Sequence, residues 1–287
     1  MNQVSSSTPT PTPTTSFSAV KTHLKKILYT AILIGAASVL KLVSPTLSIM
    51  GAPSLRISLS PVFFRMPAIL FGPFYGGIAG GIVDIIGFLL KPQGPYMPWL
   101  TLTAVVDGLI SSFVWRFLKD RSSRSIQKGI WILFISIGGI GLFNIAVTGL
   151  FPSSSIALAL ESMGNKKDYM LLGLLVVAVI ALLLLALDFV LRKKSPEASV
   201  SKYYLKVVLT FLITGIPITI LNSYILTFYY TNLKSIFVLF LLPRLLEELI
   251  MAVLLSYVTA FLLSVYDRFI LKEKKSNDPK ISSSSHS

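Results

Sequence analysis

Long apolar runs separated by short polar punctuation make up most of the chain beyond residue 26. Eight runs, at about 27–44, 57–72, 74–90, 99–118, 129–150, 170–191, 203–230 and 236–266, approach the roughly 20 residues needed to cross a bilayer's hydrocarbon core. They lack the alternating pattern of barrel strands, and an open sheet edge cannot be satisfied in hydrocarbon, so the pattern predicts helices. The fold class that follows is an all-α integral membrane protein with eight spans.

The flanks carry no such runs. Residues 1–19 are rich in Ser, Thr and Pro, without a basic start or a hydrophobic stretch, which predicts a disordered tail and not a signal peptide. Residues 272–287 are polar and are also expected to be disordered. Residues 20–271 then form the transmembrane domain.

Composition agrees with lipid as the solvent. The chain is 53% hydrophobic and 13% charged, with a mean hydropathy of +0.75, far from the roughly 25% charged residues of a soluble domain. A net charge of +14 could suggest nucleic acid, but the charges form short clusters between apolar runs and no continuous basic face. They read as topology signals. With alternating spans, Lys21/Lys25/Lys26, Arg116/Lys119/Arg121/Arg124/Lys128, Arg192/Lys193/Lys194/Lys202/Lys206 and Arg268/Lys272/Lys274/Lys275/Lys280 all fall on one side. The positive-inside rule makes that side cytoplasmic and places both termini there. The tight turn at Gly72-Pro73 is inside too, while loops 45–56, 91–98, 151–169 and 231–235 face outward.

Ionisable residues within the apolar runs are the candidate chemistry. Arg65, Asp84, Asp107, Arg244, Glu247 and Glu248 each carry a cost of at least about 2.5–3.5 kcal/mol if unpaired in the membrane. Internal neutralisation is one reading: Arg244 precedes Glu247 by three residues and Glu248 by four, on one helix face. Adjacent Glu247 and Glu248 point about 100° apart, so they are not expected to line one cavity together. The other reading is an outward-opening cavity in which Arg65 and Arg244 meet an anionic solute, with Asp84 and Asp107 as their counter-ions or as solute ligands. Tyr96 and Trp99, in the proline-flanked outer loop, suit either an interfacial belt or stacking on a ring. Asn222, Ser223 and Tyr224 form a polar step in the seventh run, where an amide needs partners. Asn144 and Asp188 are read as structural.

Small residues add packing signals. Gly76, Gly77, Gly80, Gly81 and Gly87 place glycines at four-residue spacing in the third run, as Ala31 and Gly35 do in the first, and such spacing lets helix backbones approach closely. Ordinary helix packing is the preferred reading for the third run.

Several chemistries are excluded. The chain has no cysteine and two histidines, His23 and His286, both outside the predicted spans. This removes thiolate and His-based metal sites and Ser-His or Cys-His nucleophiles, so no enzyme activity, metal or cofactor is expected. No phosphate loop of the Gly-x-x-x-x-Gly-Lys-Ser/Thr type occurs, and any ATP-driven process needs its motor on another chain.

Residues 55–109 resemble the folate-type substrate-binding (S) component of energy-coupling factor (ECF) vitamin transporters. The likeness rests on Leu55-Arg56-Ile57-Ser58, on residues 70–77 (LFGPFYGG), on residues 84–90 (DIIGFLL) and on residues 94–104 (GPYMPWLTLTA), with further matches at 221–226 (LNSYIL) and 241–246 (LLPRLL). The resemblance implies a six-helix core that takes a vitamin, folate first, from outside. The polar and ionisable residues singled out above then make Arg65, Asp84, Tyr96, Trp99, Thr103, Asp107, Asn222, Tyr224 and Arg244 the candidate binding set, with Thr103 and Asn222 supplying hydrogen bonds. The resemblance further implies docking through Ala31 and Gly35 on a transmembrane coupling (T) component that works with two cytoplasmic ATPases. The chain departs from the family pattern by two extra spans within 120–201, inserted after the fourth, by Arg65 and Pro67 where apolar or small residues are expected, and by the charges at Asp107, Glu247 and Glu248. The rival reading is a self-sufficient ion-coupled secondary transporter using Asp84, Asp107 or Glu247. A third is a structural membrane protein without cargo.

Overall fold

The computed structural model describes residues 13–49, 52–92, 94–154, 166–194 and 199–277. Among these residues eight α-helices stand where the hydropathy pattern put them: α1 (Pro13–Val43), α2 (Ser60–Phe71), α3 (Pro73–Leu90), α4 (Pro98–Lys119), α5 (Ser123–Leu150), α6 (Lys166–Lys194), α7 (Ser199–Tyr229) and α8 (Phe237–Asn277). A short antiparallel hairpin, β1 (Thr46–Ile49) and β2 (Ala52–Arg56), links α1 to α2. Large apolar side chains remain exposed along the helices, among them Ile32, Phe117, Leu142 and Leu183. A soluble fold would bury such residues, and lipid does not require it. The chain is a multi-pass membrane protein.

Seven of these helices are long and apolar enough to cross a bilayer. The eighth, α2, is a shorter apolar helix of 12 residues, a length of about 18 Å against a hydrocarbon core of about 30 Å. Its outer end is set by the serines and proline at 58–61. Its inner end is set by Gly72, whose φ of 110° and ψ of −176° suit glycine almost alone, followed by Pro73 opening α3.

Both tail expectations are corrected in part. Helix α1 begins at Pro13, so residues 13–19, predicted disordered, are helical; proline suits the first helical position because its missing N–H is unpaired there anyway. That start also brings His23 into the apolar stretch of α1, where it is exposed. At the other end α8 runs to Asn277 through Lys272, Glu273, Lys274 and Lys275, all good helix formers. The remainder of both tails, 1–12 and 278–287, lies outside the described residues.

The core is built from α1–α4, α7 and α8, while α5 and α6 pack on each other and lean on α7 and α8. Buried Ile126, Ile130, Phe134, Val177, Ala181 and Leu185 join the main apolar core along α7 and α8. The outer loops gather at one end: Met97, Leu226, Leu233 and Phe240 form one buried cluster, and a Cβ at Gly94 would lie 2.7 Å from the Tyr230 hydroxyl. At the opposite end Phe71, Tyr29 and Tyr266 pack ring against ring, and Lys206 Nζ donates to the Lys119 carbonyl. Loops 91–98 and 231–235, predicted to share a side, therefore meet at one end, while residues 155–165 of the 151–169 loop lie outside the described residues.

The glycine stripe of α3 packs against α4, as the packing reading holds. A Cβ at Gly80 would meet the Ala104 carbonyl oxygen at 2.1 Å, and one at Gly108 would meet the Gly76 oxygen at the same distance. Backbone meets backbone there, with nothing flexible to yield. Gly80→Leu is expected to cost at least about 1–3 kcal/mol through overpacking, read as a lowered Tm in detergent, whereas the same change at Gly139, where nothing lies within 4 Å, should leave Tm nearly unmoved.

Candidate functional site

A cavity of about 360 Å³ lies between the core helices and reaches the surface at the 91–97 loop. Its walls are Lys41 of α1, Ser58, Ser60, Pro61 and Phe64 around the start of α2, Gly80, Asp84, Gly87 and Phe88 of α3, Thr103 and Asp107 of α4, Ile218, Asn222 and Leu226 of α7, and Arg244 of α8. Lys91, Pro95 and Tyr96 form the rim. A second chamber of about 220 Å³ shares Ser58, Phe64, Asp107, Asn222 and Arg244 with the first and continues to Arg65, Thr219, Glu247 and Glu248. Neither contains a residue of α5 or α6. The first cavity falls within the roughly 300–1,000 Å³ of small-molecule sites.

Helical phase explains who lines it. Asp84 and Gly87 face inward from α3 at a three-residue step, and Thr103 and Asp107 do so from α4 at a four-residue step, each pair on one face. Three prolines interrupt the walls, Pro67 in α2, Pro217 in α7 and Pro243 in α8, each removing one hydrogen bond of its helix ladder.

The charges are organised in pairs. Arg65 Nε donates to Asp107 Oδ1 at 3.0 Å and Nη2 to Asp107 Oδ2 at 2.9 Å, a bidentate fork. Ser111 Oγ donates to the same carboxylate at 3.2 Å. The guanidinium is held against two rings, 4.6 Å from the Phe211 centroid and 5.6 Å from that of Phe64, and both partners are buried, at 5% exposure. Asp84 pairs with Lys41, Nζ to Oδ1 at 2.7 Å, and accepts from Thr101 at 2.8 Å. The Tyr96 hydroxyl lies 3.0 Å from Thr101 Oγ1, so a chain of polar contacts runs from Lys41 to the rim.

The candidate residues divide accordingly. Asp84, Tyr96, Thr103, Asp107, Asn222 and Arg244 line the first cavity, and Arg65 lines the second. The single O–H of Thr103 faces two acceptors, Asn222 Oδ1 at 2.5 Å and the Leu100 carbonyl at 2.8 Å, and so gives the amide oxygen a shared donor. Trp99 and Tyr224 do not line either chamber; they are 58% and 55% exposed. Tyr224 follows Asn222 by two residues, about 200° around the helix. Trp99 sits in the first turn of α4, where an outward ring suits the interfacial belt.

Two expectations about pairing change. Asp107 is the counter-ion of Arg65, but the counter-ion of Asp84 is Lys41, a residue outside the predicted set. Lys41 follows Ile34, Ala37 and Ser38, all buried, at helical spacing, and that register was the available signal. Glu247 and Glu248 both line the second chamber, contrary to the 100° argument; side chains that far apart can still flank a cavity meeting the helix broadside. Glu248 accepts from Thr219 at 3.1 Å. No group of His, Asp and Glu suited to a metal ion occurs among the described residues. Ser58, Ser60 and Lys91 were also missed, because neither charge nor hydropathy distinguishes them in the sequence.

Ala31 and Gly35 lie exposed on the outer face of α1, and a Cβ at Gly35 would meet nothing within 4 Å. Leu24, Leu28, Val39 and Leu42 are also exposed on α1. Packed on α7 and α8, the α5–α6 pair leaves this face open.

Comparison with known proteins places the cavity in context. A family model described as "ECF-type riboflavin transporter, S component" matches residues 21–187, from α1 through α5 and most of α6. The folate transporter FolT of Clostridium novyi (strain NT) is 31% identical over 85 residues, covering 30% of this chain and 49% of that protein. The alignment thus spans about half the length of that relative. No solved structure matches.

Proposed function

Since the chain belongs to the ECF-type riboflavin transporter S-component family, we propose that it is the substrate-binding component of an ATP-driven vitamin importer, taking folate or a related heteroaromatic compound from outside. The observation carrying this reading is the cavity of about 360 Å³, polar at its walls and open at the loops assigned to the outer face. Likeness to a folate transporter over part of the chain and to a riboflavin family over more of it leaves the heteroaromatic class as the shared chemistry. Family membership also makes this a transport component and not an enzyme.

Each wall has a task in this reading. Tyr96, beside Phe88 with ring centroids 5.0 Å apart, covers the occupant at the rim. Thr103 and Asn222 offer it hydrogen bonds, and Asp107, held rigid by Arg65, offers an acceptor edge. A pre-formed pair such as this spends little entropy on binding.

Partners follow from what the chain lacks. Without an ATP-binding loop it relies on a transmembrane coupling component and two cytoplasmic ATPases, and the exposed face of α1 around Ala31 and Gly35 is the docking surface. Both termini are cytoplasmic. The core around the cavity is six-helical, α1–α4 with α7 and α8, and α5 and α6 flank it without lining the cavity.

Affinity purification from the native membrane is the test: a coupling protein and ATPases should accompany the chain. Uptake by the chain alone in liposomes, driven by an ion gradient without any ATPase, would instead establish a secondary transporter.

A further inference from the structure

Ser60 and Pro61, the first residues of α2, line the cavity, so a helix N-terminus opens onto its wall. Such an end carries a partial positive charge and attracts anions. Position alone would not make a site, but a side chain there points to a ligand. Ser60, the first residue of α2, is buried at 4% exposure and lines the cavity. Its hydroxyl has no hydrogen-bond partner among the described residues, although buried polar groups are nearly always paired.

The neighbouring groups favour an acceptor with negative charge. Ser60 N–H goes to Ser58 Oγ at 3.1 Å, Pro61 has no N–H, and Val62 N–H returns to the Leu59 carbonyl. The first turn therefore contributes its field, and the hydroxyls contribute the bonds. Ser58 Oγ lies 2.6 Å from Ser44 Oγ. The Ser44 carbonyl in turn accepts from Lys91 Nζ at 3.0 Å, and that of Leu42 does so at 3.3 Å. Two ammonium groups, Lys41 and Lys91, thus stand against one carboxylate, Asp84, in the outer part of the cavity. Deeper in, the balance is reversed. Arg65 and Arg244 share the inner chamber with Asp107, Glu247 and Glu248, and Asp107 already closes the Arg65 fork.

We propose that the N-terminus of α2, with Ser60, Ser58 and the Lys41–Lys91 side of the wall, is an anion subsite that takes the carboxylate or phosphate end of the solute. This rests on the solute-binding reading above and moves the anionic contact away from Arg65 and Arg244. The occupant then lies with its anionic end against the outer wall and its hydrogen-bond-donating end toward Asp107.

The test titrates the purified full-length chain with two matched pairs: riboflavin against riboflavin 5′-phosphate, and folate against its dimethyl ester. In whichever pair binds, the anionic member should bind at least about tenfold more tightly, the scale of one charge-assisted hydrogen bond. That ratio should fall about tenfold in Ser60→Ala, and fall also in Lys91→Gln at the half-buried rim. Equal or reversed affinities within a pair, or a ratio unmoved by both substitutions, overturns the subsite and leaves the binding reading standing. Binding of none of the four compounds overturns both.

Discussion

Asp107→Ala is expected to cost about 3–5 kcal/mol of stability, because it leaves the Arg65 guanidinium buried without its carboxylate. The two fork bonds at 2.9 and 3.0 Å disappear together. Phe211, at 4.6 Å from its centroid, offers a cation–π contact worth about 2 kcal/mol or more when desolvated, but it supplies no acceptor for the freed N–H groups. Arg65→Met with Asp107→Leu removes both charges and should recover most of the loss, since an apolar pair of similar volume often matches a buried ion pair. Thermal unfolding in detergent reads both. A single variant as stable as the parent would mean that the pair is hydrated.

Gly35→Leu tests the opposite kind of position. Nothing lies within 4 Å of a Cβ there, so the isolated chain should keep its Tm and its solute affinity. A partner helix packed on Ala31 and Gly35 would be pushed off by the added side chain, because close approach across small residues is what such an interface uses. ATP-dependent uptake by the assembled transporter should fall at least about tenfold, on the scale of losing an interface hot spot. Undiminished uptake would place the docking surface elsewhere.

Among the described residues, hydropathy alone located the eight α-helices, since bilayer thickness and backbone satisfaction admit few alternatives. The α3–α4 seam followed from glycine spacing. What escaped prediction depends on contacts distant in sequence. Lys41 meets Asp84 43 residues away, and Asn222 meets Thr103 from 119 residues away; no local pattern announces either. Tyr224 was grouped with Asn222 because both are polar, whereas helical phase sends them to opposite faces. The shortness of α2 was hidden because the apolar residues at its outer end, Ile57 and Leu59, read as one run with it. Ser60 gained meaning only when its hydroxyl proved to be buried.

Native mass spectrometry of the chain purified from its own membrane tests the central claim, that the cavity between α1–α4, α7 and α8 holds a vitamin. The parent protein should retain a heteroaromatic compound, either from the host or from a panel containing folate and riboflavin, and Thr103→Trp, which fills the cavity wall beside Asn222, should not. A parent protein that remains bare with every compound, or a Thr103→Trp variant that retains the same mass, would contradict it.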